Sequence, residues 1–260
     1  MSKCLVLFAA LVPLLANAQE VLIEKLDLNK FIENGLEINK FNFTSDGKTG
    51  FFTATRDWEH QIPFLVTFGE DTVVQQISEL GMIYNGAISP SGNRIIYAVR
   101  NADYTTLLMT KKTSNGWSKP IDLSEKSKIM GGYFQWFAED ELYFYVPDNA
   151  GDLVKGRLVN SVLEITDRFR DINTTHTEFS PFVGPDGSYL IFTKYVDGDS
   201  SQQGLMISHN QGTKENPEWY SPSKIEGIPY GWGAFVKDDL LYFSDGSSIY
   251  FTPITTHLKK

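Results

Sequence analysis

Five times along this chain a short apolar strand runs into a tight turn and out into a second, alternating strand. The clearest copy is Pro181-Phe-Val-Gly-Pro-Asp-Gly-Ser-Tyr-Leu-Ile-Phe192. Glycine tolerates positive φ, and aspartate accepts a hydrogen bond from its own downstream backbone, so Asp-Gly reverses a chain between strands. The same unit surrounds Thr44-Ser-Asp-Gly-Lys48 and Ser89-Pro-Ser-Gly-Asn93. It recurs without glycine at Ala138-Glu-Asp-Glu141 and Val236-Lys-Asp-Asp239. Aligning the aromatic that closes each second strand gives Phe52, Tyr97, Phe144, Phe192 and Phe243, spaced 45, 47, 48 and 51 residues apart. Strand repeats of that length form propeller blades rather than helical solenoid units. A second marker keeps the same phase: Trp117-Ser-Lys-Pro-Ile-Asp-Leu123 and Trp219-Tyr-Ser-Pro-Ser-Lys-Ile225 share Trp-x-x-Pro-x-x-(Leu/Ile) in repeats two and four.

These motifs resemble the WD-like, TolB-type β-propeller repeat of bacterial envelope proteins. Pro181 to Phe192 is the nearest match to its turn, and the Trp-x-x-Pro element is similar to its fourth-strand signature. The matches extend over residues 41–251. The resemblance implies a propeller fold and, as in TolB, a role in an envelope assembly, which is a binding function. It leaves activity open, because such propellers serve as scaffolds, receptors and enzymes.

The expected architecture is therefore all-β: a five-bladed β-propeller closed by its N-terminal strand. Four blades take their four strands from about 40–78, 84–123, 132–167 and 178–225. The fifth has only three of its own, near 231–236, 240–244 and 248–254, while a spare alternating strand stands alone at 20–27. Pairing the two removes an open edge that would expose a row of backbone donors and acceptors. Between them, residues 29–39 read as a connector with one short helical turn. Six blades are the alternative, if 19–40 held a degenerate blade, but that segment is short for four strands.

Residues 1–18 read as a secretory signal peptide: Lys3, an apolar core from Cys4 to Leu15, and the small-residue site Ala16-Asn-Ala18, with cleavage between Ala18 and Gln19. Twelve apolar residues are too few to span a bilayer. Cys4 stands at the start of the apolar core rather than after it, so it does not mark a lipoprotein. The mature domain, 19–260, would keep 22 Lys and Arg against 32 Asp and Glu and no cysteine. An exported chain without disulfides suits a bacterial periplasm, or secretion from such a cell. Its acidic balance disfavours nucleic acid or direct membrane binding, which need clustered cations. No basic run is longer than Lys259-Lys260.

Chemistry in such a ring gathers where the inner strands begin. Asn39 and Lys40 stand there, with Tyr84, Asn85, Tyr133, Gln135, His176, Glu178, Tyr230 and Trp232 as candidate ligand contacts. Aromatic faces stack on a sugar or peptide, and amides or carboxylates orient it; the plainer account is packing between blades. Glycoside hydrolysis needs two carboxylates across the bond, and these strands offer Glu178 alone. His60, His176, His209 and His257 share no metal-ligand spacing. Asp197-Gly-Asp199 lacks the sixth-position glycine and terminal glutamate of a calcium loop. No Gly-x-Ser-x-Gly elbow or phosphate-cradling loop is present. Asn42-Phe-Thr44 and Asn173-Thr-Thr175 are glycosylation sequons only in a eukaryotic host. The sequence thus points to a monomeric binding or scaffold module without cofactor, catalytic residue or metal, recognising a protein, peptide or glycan at the channel mouth. A carbohydrate-active hydrolase or lyase on the same face is the alternative.

Overall fold

The structure, a computed structural model, describes residues 22–101 and 105–258. Cys4, the expected signal peptide and Lys259-Lys260 lie outside them. Five antiparallel sheets make up the ring. Blade 1 is Glu37–Phe43, Thr49–Thr55, Gln61–Thr67 and Val73–Gln76, from the channel outward. Blade 2 is Asn85–Ile88, Arg94–Arg100, Thr105–Thr113 and Ile121–Asp122. Blade 3 is Gly132–Ala138, Glu141–Val146, Asp152–Val159 and Val162–Arg168; blade 4 is Thr177–Val183, Tyr189–Tyr195, Gly204–His209 and Ser223–Lys224. Blade 5 contributes Trp232–Lys237, Leu240–Ser244 and Ile249–Pro253, and its outermost strand is Glu24–Leu26 from the other end of the chain. Lys25 pairs antiparallel with Tyr250, so the N-terminal segment closes the last sheet as its spare alternation required. A 3-10 turn at Asn29–Phe31 then carries the chain back to the channel.

Packing explains the period. Five buried apolar clusters lie one at each interface between neighbouring blades. Phe52, Tyr97, Phe144, Phe192 and Phe243 each fall in the cluster that joins their blade to the one before it. The repeated aromatic is the wedge of one blade in the face of its predecessor, and burying such a ring is worth about 1.5–3 kcal/mol. That is why this position recurs while surface positions drift. Turn chemistry holds the hairpins in register. Asp46 Oδ1 accepts from Lys48 N and Thr44 Oγ1, and Asp186 Oδ1 accepts from Ser188 N, each with the following glycine at positive φ. In blade 5, Asp238 and Asp239 take the two left-handed positions without a glycine.

The outer strands of blades 2 and 4 are shorter than the Trp-x-x-Pro motifs suggest. Trp117 pairs back on Lys112 in a small hairpin, leaving only Ile121–Asp122 on the edge. Trp219 makes a single bridge to Asn210, leaving Ser223–Lys224. Pro120 and Pro222 divide each motif, having no N–H to give a ladder. Asp122 then caps a short helix, Leu123–Ser127, by accepting from Glu125 N at 2.8 Å. Among the described residues no helix is long and apolar enough to cross a membrane.

Candidate functional site

The inner strands share a device that positions the mouth. In blades 1, 3, 4 and 5 the pairing with the second strand slips by a residue at the same place: Ile38/Phe41, Gly132/Gln135, Phe179/Phe182 and Trp232/Phe235. Such bulges bend a strand and re-aim its side chains. Tyr133 (φ 54), Ser180 (φ 51) and Gly233 (φ 65) occupy the same step of the bulge in left-handed conformation, which glycine takes freely and the other two only under surrounding constraint.

For Tyr133 the constraint is visible. Its backbone N–H donates to Asn85 Oδ1 at 2.7 Å, and its hydroxyl shares a 2.6 Å hydrogen bond with that of Tyr84. Its ring lies 5.7 Å from Tyr84, 5.9 Å from Tyr145 and 4.9 Å from Phe179. Burial, then the Tyr84 hydroxyl, pushes the Tyr133 phenol well above its ordinary range; burial also raises Tyr145 and Tyr230. These hydroxyls stay protonated at physiological pH, able both to donate and to accept.

Around this cluster lies a cavity of about 480 Å³ between blades 2, 3 and 4, within the about 300–1,000 Å³ of small-molecule sites. Tyr84, Tyr133, Tyr145, Tyr195 and Phe179 supply rings, and Arg100 supplies the charge. Gly131 and Gly132 line it as bare backbone; a Cβ on Gly131 would lie 2.2 Å from the Tyr145 carbonyl oxygen, so no larger residue fits. The aromatic surface extends from the cavity across blades 5 and 1. Tyr230 packs 5.7 Å from Trp232, which packs 5.1 Å from Trp58. Tyr195, Tyr230, Trp58 and Met130 are all exposed.

The structure thus brings Tyr84 and Tyr133 together on the cavity wall, and Tyr230 and Trp232 together on the rim. Asn85, Gln135 and Glu178 are buried among the blades instead. The Gln135 amide bridges to blade 4, donating to the Val183 carbonyl at 3.1 Å and accepting from Val183 N at 2.7 Å. Asn42 plays the corresponding part in blade 1, donating to the Ile88 carbonyl of blade 2 at 3.1 Å. Glu178 has no solvent exposure. Its carboxylate accepts from the Thr174 hydroxyl at 2.6 Å and the Thr174 N–H at 3.0 Å, with Lys194 Nζ 4.0 Å away; burial holds its pKa above the ordinary range. His176 is half-buried, its backbone N–H donating to Thr174 Oγ1 at 3.1 Å.

Asn39 accepts from Trp232 Nε1 at 2.6 Å, one of the bonds that close blade 5 on blade 1; Ile38 N donates to the Ser247 carbonyl at 3.0 Å beside it. Lys40 does something else. Its ammonium donates to the Phe134 carbonyl of blade 3, reaching past blade 2 across the channel. With 6 % of its surface exposed, burial lowers its pKa from 10.5 to about 7. The channel is therefore spanned by a lysine shedding its proton near neutrality.

Trp58, Arg100, Tyr145, Phe179 and Tyr195 of this face did not stand out in the sequence. Four of them sit in or beside the loops between second and third strands, which return to the same face as the beginnings of the inner strands. The signal available was position: an aromatic or arginine at the end of a second strand.

No family model matches the sequence, and no curated protein does. Solved structures do match in shape. An endo-arabinase from Bacteroides thetaiotaomicron superposes with a TM-score of 0.54 at 12% identity, over 84% of this chain and 94% of the arabinase. The structure of a nidogen/laminin complex gives 0.53 at 12%, over 86% and 82% of the two chains. TolB from Acinetobacter baumannii gives 0.50 at 10%, over 83% of this chain. The chain shares their fold. The TolB-type resemblance carried by the repeats is matched by this likeness in shape to a TolB propeller. The chain spans 54% of that TolB's length.

Proposed function

We propose that the chain is an exported binding or scaffold module, periplasmic or secreted, whose ligand lies on the aromatic mouth and enters the cavity between blades 2, 3 and 4. The observation that carries this reading is the exposed, connected aromatic surface around a concave site, built on a ring that orders it at little further entropic cost. A protein, peptide or glycan could supply the complementary groups. Likeness to a nidogen/laminin complex and to an endo-arabinase is compatible with either class, and neither is transferred on fold alone.

Hydrolysis or lysis of a carbohydrate on this face has less support. Both Glu178 oxygens are engaged by Thr174, and the side chain is closed to solvent. A general acid must reach the bond it protonates.

The test is a glycan and peptide array probed with the mature protein, followed by titration of hits against Tyr195→Ala and Trp58→Ala. Both rings are exposed, so their loss should leave folding intact. A loss of at least tenfold in affinity from one or both is expected. Unchanged binding in both would move the ligand elsewhere, and a blank array with release of reducing sugar would favour the enzyme.

A further inference from the structure

Across the cavity wall the charges are one-sided. Among the described lining residues Arg100 alone is charged and none is a carboxylate, although the chain has 32 acidic residues against 23 basic ones. The Arg100 guanidinium lies over the Tyr84 ring, 5.5 Å from its centre, which holds the charge beside the cavity. Its one ion pair among the described residues is loose, 3.9 Å to Glu59 with both side chains exposed, which leaves room for a stronger partner. A planar fork of donors matches a carboxylate in two-point geometry.

The remaining wall has a different character. Four tyrosines present ring faces and hydroxyls, and burial keeps the Tyr133 and Tyr145 hydroxyls neutral. Ring faces take up the C–H face of a pyranose, while neutral hydroxyls both give hydrogen bonds to sugar hydroxyls and receive them. An extended peptide would ask for backbone donors and acceptors in series. The cavity offers instead Gly131 and Gly132, whose inner strand is already paired within blade 3.

From one cation, no anion among the described lining residues and a wall of hydroxyl-bearing rings, we infer that the cavity takes a carboxylate-bearing pyranose, a uronic acid unit of an acidic glycan, with Arg100 reading the carboxylate. The rim of Tyr230, Trp232 and Trp58 then stacks the following units. This deepens the proposed function and rests on its placing of the ligand at the mouth.

The experiment compares an oligogalacturonate, the same oligomer with its carboxylates reduced to alcohols, and a peptide ending in a free carboxylate. Each is titrated by calorimetry against wild type, Arg100→Gln and Tyr195→Ala. Expected is a preference of at least tenfold for the uronate over its reduced form, abolished in Arg100→Gln and falling with added salt. Equal binding of both oligomers, with Arg100→Gln unchanged and Tyr195→Ala weakened, would overturn the inference while leaving the mouth as the site. Oligomer binding unaffected by Tyr195→Ala would count against the mouth itself. Arg100-dependent binding of the peptide alone would replace the sugar with a polypeptide terminus and overturn the glycan class.

Discussion

Replacing Lys40 with methionine should make the protein more stable at neutral pH and less sensitive to pH above it. Lys40 is buried, among the described residues only the Phe134 carbonyl accepts from it, and its pKa falls from 10.5 to about 7. A lowering of that size disfavours the charged form in the folded state by about 4–5 kcal/mol. The direction follows from proton counting. Between the folded and unfolded pKa values the unfolded chain binds a proton that the folded chain has lost, so stability rises with pH across that window. From pH 7 to pH 9.5 the gain should be about 3 kcal/mol, before unfolded tyrosines begin to ionise near pH 10 and reverse the trend. Methionine keeps the apolar stem and removes the charge, but leaves the Phe134 carbonyl without this donor, a loss of about 1–3 kcal/mol. Lys40→Met should then exceed wild type by about 1–3 kcal/mol at pH 7 and draw level with it, or fall below, by pH 9.5. Lys40→Arg should be the least stable at pH 9.5, because a guanidinium keeps its proton there. Urea unfolding of the three proteins at half-unit steps of pH reads all of this. Parallel pH profiles for wild type and Lys40→Met would refute the burial argument.

The remaining expectations concern the seams of the ring and the carboxylate behind it. Gln135→Ala removes both bonds to Val183 and strands a buried N–H, so it should cost about 2–4 kcal/mol in urea unfolding while leaving ligand affinity within twofold. Glu178 has its pKa raised by burial, so it withdraws stability as pH climbs through its ordinary range toward its folded pKa. Glu178→Gln should flatten that loss in unfolding curves followed upward from pH 4 and preserve ligand binding; abolished binding would make Glu178 a ligand contact again. Removing Glu24–Leu26 exposes the Ile249–Pro253 edge, and light scattering should then show concentration-dependent association that wild type lacks.

The ring itself was legible in the sequence because its period is a packing period. Phe52, Tyr97, Phe144, Phe192 and Phe243 must each wedge a blade seam, so they recur, and a blade short of one strand implied the pairing of the N-terminal segment. The mouth was legible in part. Tyr84, Tyr133, Tyr230 and Trp232 could be placed because inner strands begin there. The roles of Asn85, Gln135 and Lys40 could not, since an amide clamped between blades and one facing a ligand look alike in a sequence. The bulge was hidden for a related reason: Tyr133 and Ser180 adopt left-handed backbone where no glycine announces it. Tyr195, Phe179 and Arg100 meet Tyr133 only after the blades are stacked, a contact that spacing along the chain does not encode.

Hydrogen–deuterium exchange of residues 19–260 with and without saturating oligogalacturonate tests the placement of the ligand most directly. Expected is added protection at residues 130–133, 177–179 and 195, with the turns at 45–48, 90–93 and 185–188 unchanged on the opposite face. Protection confined to those turns, or to the edge strands, would contradict a ligand held at the aromatic mouth.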